Sequence, residues 1–170
     1  VMGSHGTSGL SEIFIGSNTE KVVRHSEVPV LVLKHKFNKD HLKDVVFASD
    51  FSAESVAVYQ KAAKLFQALK AKLHLLHVNL PSDRFRSTNE IDQTVSNFLM
   101  KAEGNLDKLS QINFVSDYTV EKGVLNFANK IGADLIAVAT HGRTGIAHFF
   151  EGSISEDIAN HAVLPVMTFK

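Results

Sequence analysis

Cysteine is absent from the 170-residue sequence, which excludes disulfides and thiol catalysis and suits a reducing compartment. Net charge is absent too. Eighteen basic residues balance eighteen acidic ones, so nothing in the charge balance calls for a nucleic-acid or membrane-surface partner. No apolar run reaches the ~20 residues that a bilayer-spanning helix needs, and the first residues carry no charged-then-apolar leader. The sequence also lacks a P-loop Lys-Ser/Thr, an evident base for phosphoryl chemistry and the ligand spacing of a structural zinc site. What it has is 44% hydrophobic residues, enough for a real core, in a length that suits one domain plus a fragment. Val1 rather than Met stands first, so the expectation is a start inside a longer reading frame of a cytoplasmic protein.

The most informative stretch is Ala139–Ser155. It follows an apolar run, Leu135–Ala139, that reads as a buried strand, and it ends in Ser153-Ile-Ser-Glu156, a capping box that opens a helix. A strand therefore enters a Gly-rich loop that delivers the chain to a helix start. Free backbone N–H groups and the positive end of the helix dipole suit a phosphate there. Gly142 and Gly152 carry no Cβ, so the backbone can approach a ligand closely. The chain opens with the same arrangement. Met2–Ser17 aligns with Val138–Ser153 without a gap, and at the same offset His25, Pro29 and Val30 recur as His161, Pro165 and Val166. A repeat of this kind governs the domain reading: residues 1–34 are expected to be the tail of one unit, 35–41 a linker and 42–170 a complete second unit.

Along the chain, a capping box at Ser17 predicts a helix to about His25, and Val28–Leu33 predicts a strand with Pro29 near its start. The complete unit opens with the strand Val45–Ala48, whose continuous apolar character fits a parallel strand covered on both faces. Ser52 is expected to cap a helix carrying Val56, Tyr59, Ala63, Phe66 and Leu69 at helical spacing. Leu73–Val78 predicts a second strand. A helix from about Glu90 to Leu109 carries the stripe Ile91, Val95, Phe98/Leu99, Ala102 and Leu106. Asn113–Thr119 predicts a third strand, Val120–Ile131 a helix stopped by Gly132, Leu135–Ala139 a fourth strand, Ser153–His161 a last helix and Leu164–Phe169 a fifth strand. This βαβαβαβαβ alternation implies an α/β fold with an open five-stranded parallel sheet, helices on both faces and right-handed crossovers. Ligands in such sheets bind at the carboxyl ends of the strands, where strand order reverses.

These residues resemble the universal stress protein family. Its nucleotide-binding members carry Gly, two residues, Gly, nine residues, then Gly-Ser/Thr. Gly3, Gly6, Gly16 and Ser17 match that pattern fully, while Ala139, Gly142, Gly152 and Ser153 match it with Ala in place of the first glycine. The D-F-S at Asp50–Ser52 and the L-H-V at Leu76–Val78 also resemble the ends of the family's first two strands. The resemblance extends to tandem members with two domains in one polypeptide. It implies a flavodoxin-like, Rossmann-like strand order 3-2-1-4-5, with Asp50 and the glycine loop facing one crevice. It also implies site roles. The strand end Ala48-Ser49-Asp50 places Asp50 beside the ribose and adenine, and Val78 contributes an apolar backbone contact to the base. Ala139, His141, Gly142 and Arg143 run beside ribose and phosphates, and Gly152, Ser153, Ile154 and Ser155 hold phosphates. The first-copy remnant is Gly3, Gly6, Gly16 and Ser17. The ligand implied is ATP or another adenine nucleotide, with Mg an optional companion. Two departures bear on it: Ala139 adds a methyl where the family has glycine, and Glu151 sets a carboxylate just before Gly152.

Plainer readings stand beside these. The glycines can serve as turn residues only, and Asp50 can merely cap the first helix. His74 and His77, alternating with apolar neighbours, read as satisfied or partly exposed histidines rather than metal ligands, and no metal site is expected. Arg84 and Arg86 read as a solvated loop. Three functions follow: a stress-response module that holds an adenine nucleotide, a slow ATPase, or an assembly domain without ligand. An enzyme is the minor expectation, with no catalytic residues assigned. Edge strands invite pairing, and the resemblance implies antiparallel pairing through the last strand, so Val28–Leu33 is expected to pair with Leu164–Phe169, within one chain as a pseudo-dimer or between two chains as a homodimer.

Overall fold

A strand covered on both faces has no polar side to show, so its residues are apolar without alternation. Val45, Val46 and Phe47 obey that rule, and each is fully buried. The computed structural model describes residues 2–3, 22–23, 25–33, 37, 41–139 and 164–170. Among the described residues, one sheet contains seven strands: β1 (Met2–Gly3), β2 (Val30–Leu33), β3 (Asp44–Ala48), β4 (Lys72–Asn79), β5 (Asn113–Ser116), β6 (Leu135–Ala139) and β7 (Val166–Phe169). Helix α1 (Ser55–Ala68) joins β3 to β4, α2 (Thr88–Glu103) joins β4 to β5, and α3 (Val120–Ile131) joins β5 to β6.

The sheet order is β1-β2-β7-β6-β3-β4-β5. Strands β3 to β7 are mutually parallel and stand in the order 3-2-1-4-5 when β3 is counted first, as expected. The chain grows outward from β3 through β4 to β5, then crosses to β6 on the other side of β3. Right-handed crossovers put the outward helices on one face and the returning helix on the other. Accordingly, α1 and α2 pack over Phe47, Leu75 and Leu135, while α3 packs over Val46, Leu76 and Ile136. Aromatic edges fill the first layer: Phe47 meets Tyr59 at 5.9 Å, Tyr59 meets Phe98 at 5.3 Å and Phe98 meets Phe51 at 5.0 Å between ring centroids. Burying each such side chain is worth roughly 1.5–3 kcal/mol.

Polar contacts tie the layers at their margins. The Asp134 carboxylate accepts from the Lys43 and Asp44 N–H groups at 2.8 and 2.9 Å, so it satisfies donors at the start of β3. The buried Tyr59 phenol donates to Glu103 at the end of α2, and Lys108 Nζ reaches Glu103 at 2.6 Å and Tyr59 Oη at 3.1 Å. Burial, with the Glu103 hydrogen bond second, holds the Tyr59 pKa above the ordinary phenol value.

Two further strands extend the sheet beyond those five: β2, expected from Val28–Leu33, and β1, which was not expected. β2 pairs antiparallel with β7, Val30 opposite Thr168, Leu31 opposite Met167 and Val32 opposite Val166, so the expected edge pairing occurs within the chain. β1 lies parallel to β2 with Met2 opposite Val32 and Gly3 opposite Leu33. The gapless repeat places these four residues on Val138, Thr168, Ala139 and Phe169, which pair in the same register between β6 and β7. Leu31 and Met167 are themselves equivalent positions in the repeat. A pseudo-twofold axis therefore passes between them.

Several boundaries differ from expectation. Ser52 makes no cap. Phe51 adopts a left-handed turn at φ 54°, which moves the helix start to Ser55, and Ser52 offers its carbonyl to the Ser55 N–H at 3.2 Å instead. Helix α2 begins earlier, on the capping box of Ser87 and Glu90, and stops at Glu103 because Gly104 takes φ 74° as a left-handed cap; Leu106 lies outside the helix and is exposed. β5 stops at Ser116, since Thr119 turns to cap α3 by accepting from the Lys122 N–H at 3.2 Å. Pro29 and Val28 precede β2 rather than joining it. Gly132 ends α3 at φ 65°. The helices expected at Ser17–His25 and Ser153–His161 fall largely or wholly outside the described residues.

At Gly123, α3 approaches β4 closely. A Cβ built there would lie 2.6 Å from Val78 Cγ1 and 3.3 Å from Asp117 Cβ. Gly123→Ala should therefore lose roughly 1–3 kcal/mol to overpacking, read as a lower denaturant midpoint at unchanged slope. An unchanged midpoint would show that this helix has slack against β4.

Candidate functional site

The reversal of strand order falls between β3 and β6. Their carboxyl ends are adjacent: Ala48 pairs with Val138 on β6 and with Leu76 on β4. Ala48 therefore sits at the mouth of the crevice that such a reversal opens. The Ser49 N–H donates to the Leu76 carbonyl at 3.1 Å, carrying the β3 to β4 pairing one residue beyond the strand. The chain then turns sharply. Ser49 Oγ accepts from the Phe51 N–H at 3.0 Å and donates to Ser55 Oγ at 3.2 Å. Asp50 Oδ1 accepts from the Ser52 N–H at 3.0 Å. Asp50 is exposed on the rim while Phe51 beneath it is buried. One residue of the turn thus anchors in the core and its neighbour presents a carboxylate.

Phe51 holds a left-handed backbone, which is costly for a bulky side chain and persists only where packing over-determines it. Its packing is the edge contact with Phe98 at 5.0 Å and a tilted contact with His77 at 6.0 Å. The core contacts of Phe51 therefore hold the turn that displays Asp50.

Val78 lies two residues beyond Leu76 on β4, paired with Val115 and half-buried against the α3 layer. Ala48 packs against that same layer. Ala139 ends β6 opposite Phe169, and its side chain packs into the other layer, the one carrying α1 and α2. The methyl that distinguishes it from glycine is thus accommodated on the face away from Ala48 and Val78. The structure brings Ala48, Ser49, Asp50, Val78 and Ala139 to the carboxyl ends of three neighbouring strands. Gly3 lies in β1 on the far side of the pseudo-twofold axis. His141, Gly142, Arg143, Gly152, Ser153, Ile154 and Ser155 lie outside the described residues, as do Gly6, Gly16 and Ser17.

Two residues near this rim were not marked by the sequence. Asn79 ends β4 and clamps the following loop, its amide donating to the Arg86 carbonyl and accepting from the Arg86 N–H, both at 3.0 Å. His77, read as satisfied or partly exposed, has a buried Nδ1 with no hydrogen-bond partner among the described residues. Its ring lies between Phe51 and Phe114, at 6.0 and 6.2 Å. Burial pulls its pKa below the ordinary imidazole value, against opposing pulls from the Ser49 backbone and the Asp50 charge. The only sequence signal was its position between Leu76 and Val78, on the opposite side of the strand from both. Among the described residues, no cluster of three or more His, Cys, Asp or Glu side chains could hold a metal ion, and no helix is long and apolar enough to cross a membrane.

Comparisons with known proteins agree on one family. A universal stress protein of Synechocystis sp. is 25% identical over 174 residues, covering 100% of this chain and 57% of the relative. One from Methanocaldococcus jannaschii is 56% identical over 36 residues, covering 21% of this chain and 22% of the relative. The crystal structure of a universal stress protein from Archaeoglobus fulgidus matches at a TM-score of 0.62 and 26% identity, covering 99% of this chain and 59% of that one. The chain spans less than two thirds of the length of each. The model of the Universal stress protein family matches residues 1–34 and 41–170, and with the sheet order and strand-end turn found here, the chain belongs to that family.

Proposed function

We propose that this chain is a stress-response module that binds an adenine nucleotide in the crevice between the ends of β3 and β6. The observation that carries this is the turn Ser49–Ser52, which holds an exposed Asp50 carboxylate over the point where strand order reverses. Asp50 accepts hydrogen bonds from the ribose hydroxyls. Val78, braced by α3, forms the apolar wall for the base. The Gly-rich segment supplies the phosphate end: His141, Gly142 and Arg143 beside the ribose and first phosphate, and Gly152, Ser153, Ile154 and Ser155 as the main-chain and hydroxyl donors. Glu151 beside Gly152 favours ADP or AMP over a full triphosphate. Where ATP binds, Mg accompanies it to offset that carboxylate. The role is binding and its consequences for partners or stability, without turnover, in the cytoplasm.

The register symmetry about Leu31 and Met167 supports a tandem origin for the chain. Residues 1–34 are then the closing part of a first domain, 35–41 the linker and 42–170 a complete domain. β2 and β7 join the two in the way two copies of one domain would meet. In a chain of one complete unit, a homodimer through the same strands is the intermolecular equivalent.

Calorimetry with ATP, ADP and AMP tests the nucleotide site. Binding of at least one is expected, with a matching thermal shift, since ligand at a hundredfold over Kd stabilises by about 2.7 kcal/mol. Absence of both heat and thermal shift at millimolar nucleotide would remove the proposal. Asp50→Ala should weaken binding by roughly tenfold or more, as loss of hydrogen bonds to a charged group costs about 1.5–3 kcal/mol, while leaving the unfolding midpoint nearly unchanged because the side chain is exposed. Unaltered affinity would place the ribose elsewhere.

A further inference from the structure

The described residues hold few polar atoms that are buried without a partner, and His77 Nδ1 is one. A buried unpaired nitrogen is costly, and such a group calls for a reason. Its ring lies 6.0 Å from that of Phe51, which belongs to the turn that presents Asp50. The ring is held by Phe51, which belongs to that turn, and by Phe114 on β5. The Ser49 backbone acts on the ring without completing a hydrogen bond to Nδ1, and Asp50 acts on it through its charge. The elements packed on the ring therefore contribute one charged group among the described residues, Asp50, and two uncharged aromatic rings.

We propose that His77 is a positioning residue of the nucleotide site, whose protonation draws the Ser49–Asp50 turn inward and takes the Asp50 carboxylate away from the ligand. In the neutral state Nδ1 completes no hydrogen bond among the described residues. Protonation makes donors of both ring nitrogens and sets a positive charge close to the turn that carries Asp50. The turn can then close on the ring, with the Ser49 carbonyl as acceptor and the Asp50 carboxylate as counter-ion. An Asp50 engaged below is lost to the ribose above. The sign follows from burial. The folded state resists protonation, so the ring is neutral at pH 7 and takes up its proton only as pH falls below the ordinary imidazole value of 6.5. Nucleotide binding and protonation oppose each other, and by linkage bound nucleotide makes His77 still harder to protonate.

This rests on the nucleotide reading, and the test separates the two. The His77 imidazole is titrated by NMR in the intact chain, alone and with saturating ATP, and in Asp50→Asn. ATP affinity is measured from pH 7.5 to 5.5 for the wild type and for His77→Phe, which keeps an aromatic ring between Phe51 and Phe114. The comparison cancels the titration of the phosphates themselves. The expected results are a His77 pKa lowered both by ATP and by Asp50→Asn, and an affinity loss on acidification about fivefold or more larger in the wild type than in His77→Phe. A His77 pKa insensitive to Asp50→Asn overturns the coupling, whatever binds. A His77 pKa that responds to Asp50→Asn but not to bound ATP overturns the link to affinity. No binding of ATP, ADP or AMP at any pH, with the Asp50→Asn shift present, removes the nucleotide site and with it this role for His77. The NMR titrations of the wild type decide the matter even if His77→Phe fails to fold.

Discussion

Burial of β3 on both faces is the constraint from which the rest follows. Val45 and Phe47 point into the α1 and α2 layer and Val46 into the α3 layer, all without solvent exposure. A strand so placed must have neighbours on both edges and helices on both faces. The chain satisfies this by building β4 and β5 on one side and returning to build β6 and β7 on the other. The reversal of direction is thus a by-product of covering one strand completely. A reversal of this kind opens a crevice at the carboxyl ends of the strands where the crossovers part. Residues that follow β3 inherit that location, which is why a short turn after an apolar run carries chemistry.

The turn itself shows how a core sets out a surface group. Phe51 accepts an unfavourable backbone so that its ring can enter the aromatic cluster of Phe98 and His77. Ser49 and Ser52 then complete the local hydrogen bonds. Among the described residues, the exposed carboxylate of Asp50 is held by neighbours on both sides and by the Ser52 N–H. Across β4, Gly123 lets α3 press on Val78. The two sides of the proposed base and ribose site are therefore positioned by different layers of the molecule.

Much of this architecture was legible in the residues. Val45–Ala48 and Leu135–Ala139 are continuous apolar runs with one reasonable interpretation, and Gly132 marks a helix end by chemistry that sequence displays openly. The pairing of β2 with β7 was legible through the family resemblance, since Leu164–Phe169 ends the sheet. Other features were decided by tertiary context. Leu106 continues the helical stripe of α2 in sequence, yet the left-handed Gly104 ends the helix first. Ser52 has the composition of a cap, but the turn at Phe51 moves the helix start past it. A left-handed phenylalanine has no sequence signature, because only the pocket that receives its ring justifies it. The partnerless nitrogen of His77 was invisible for the same reason: alternation told which face it took, and nothing in the local sequence told what would meet it there. The strand ends at Ala48 and Ala139 were legible as a pair only through the family's sheet order.

The seam between β2 and β7 has a consequence for how the molecule is made. Thr168 Oγ1 donates to the Val30 carbonyl across a separation of 138 residues, and β7 also lies beside β6. A ribosome delivers sequence in one direction, so β2 leaves the exit tunnel long before its only antiparallel neighbour among the described residues exists. The edge of β2 that faces β7 stays open through that interval, and β7, once made, joins β2 on one side to β6 on the other.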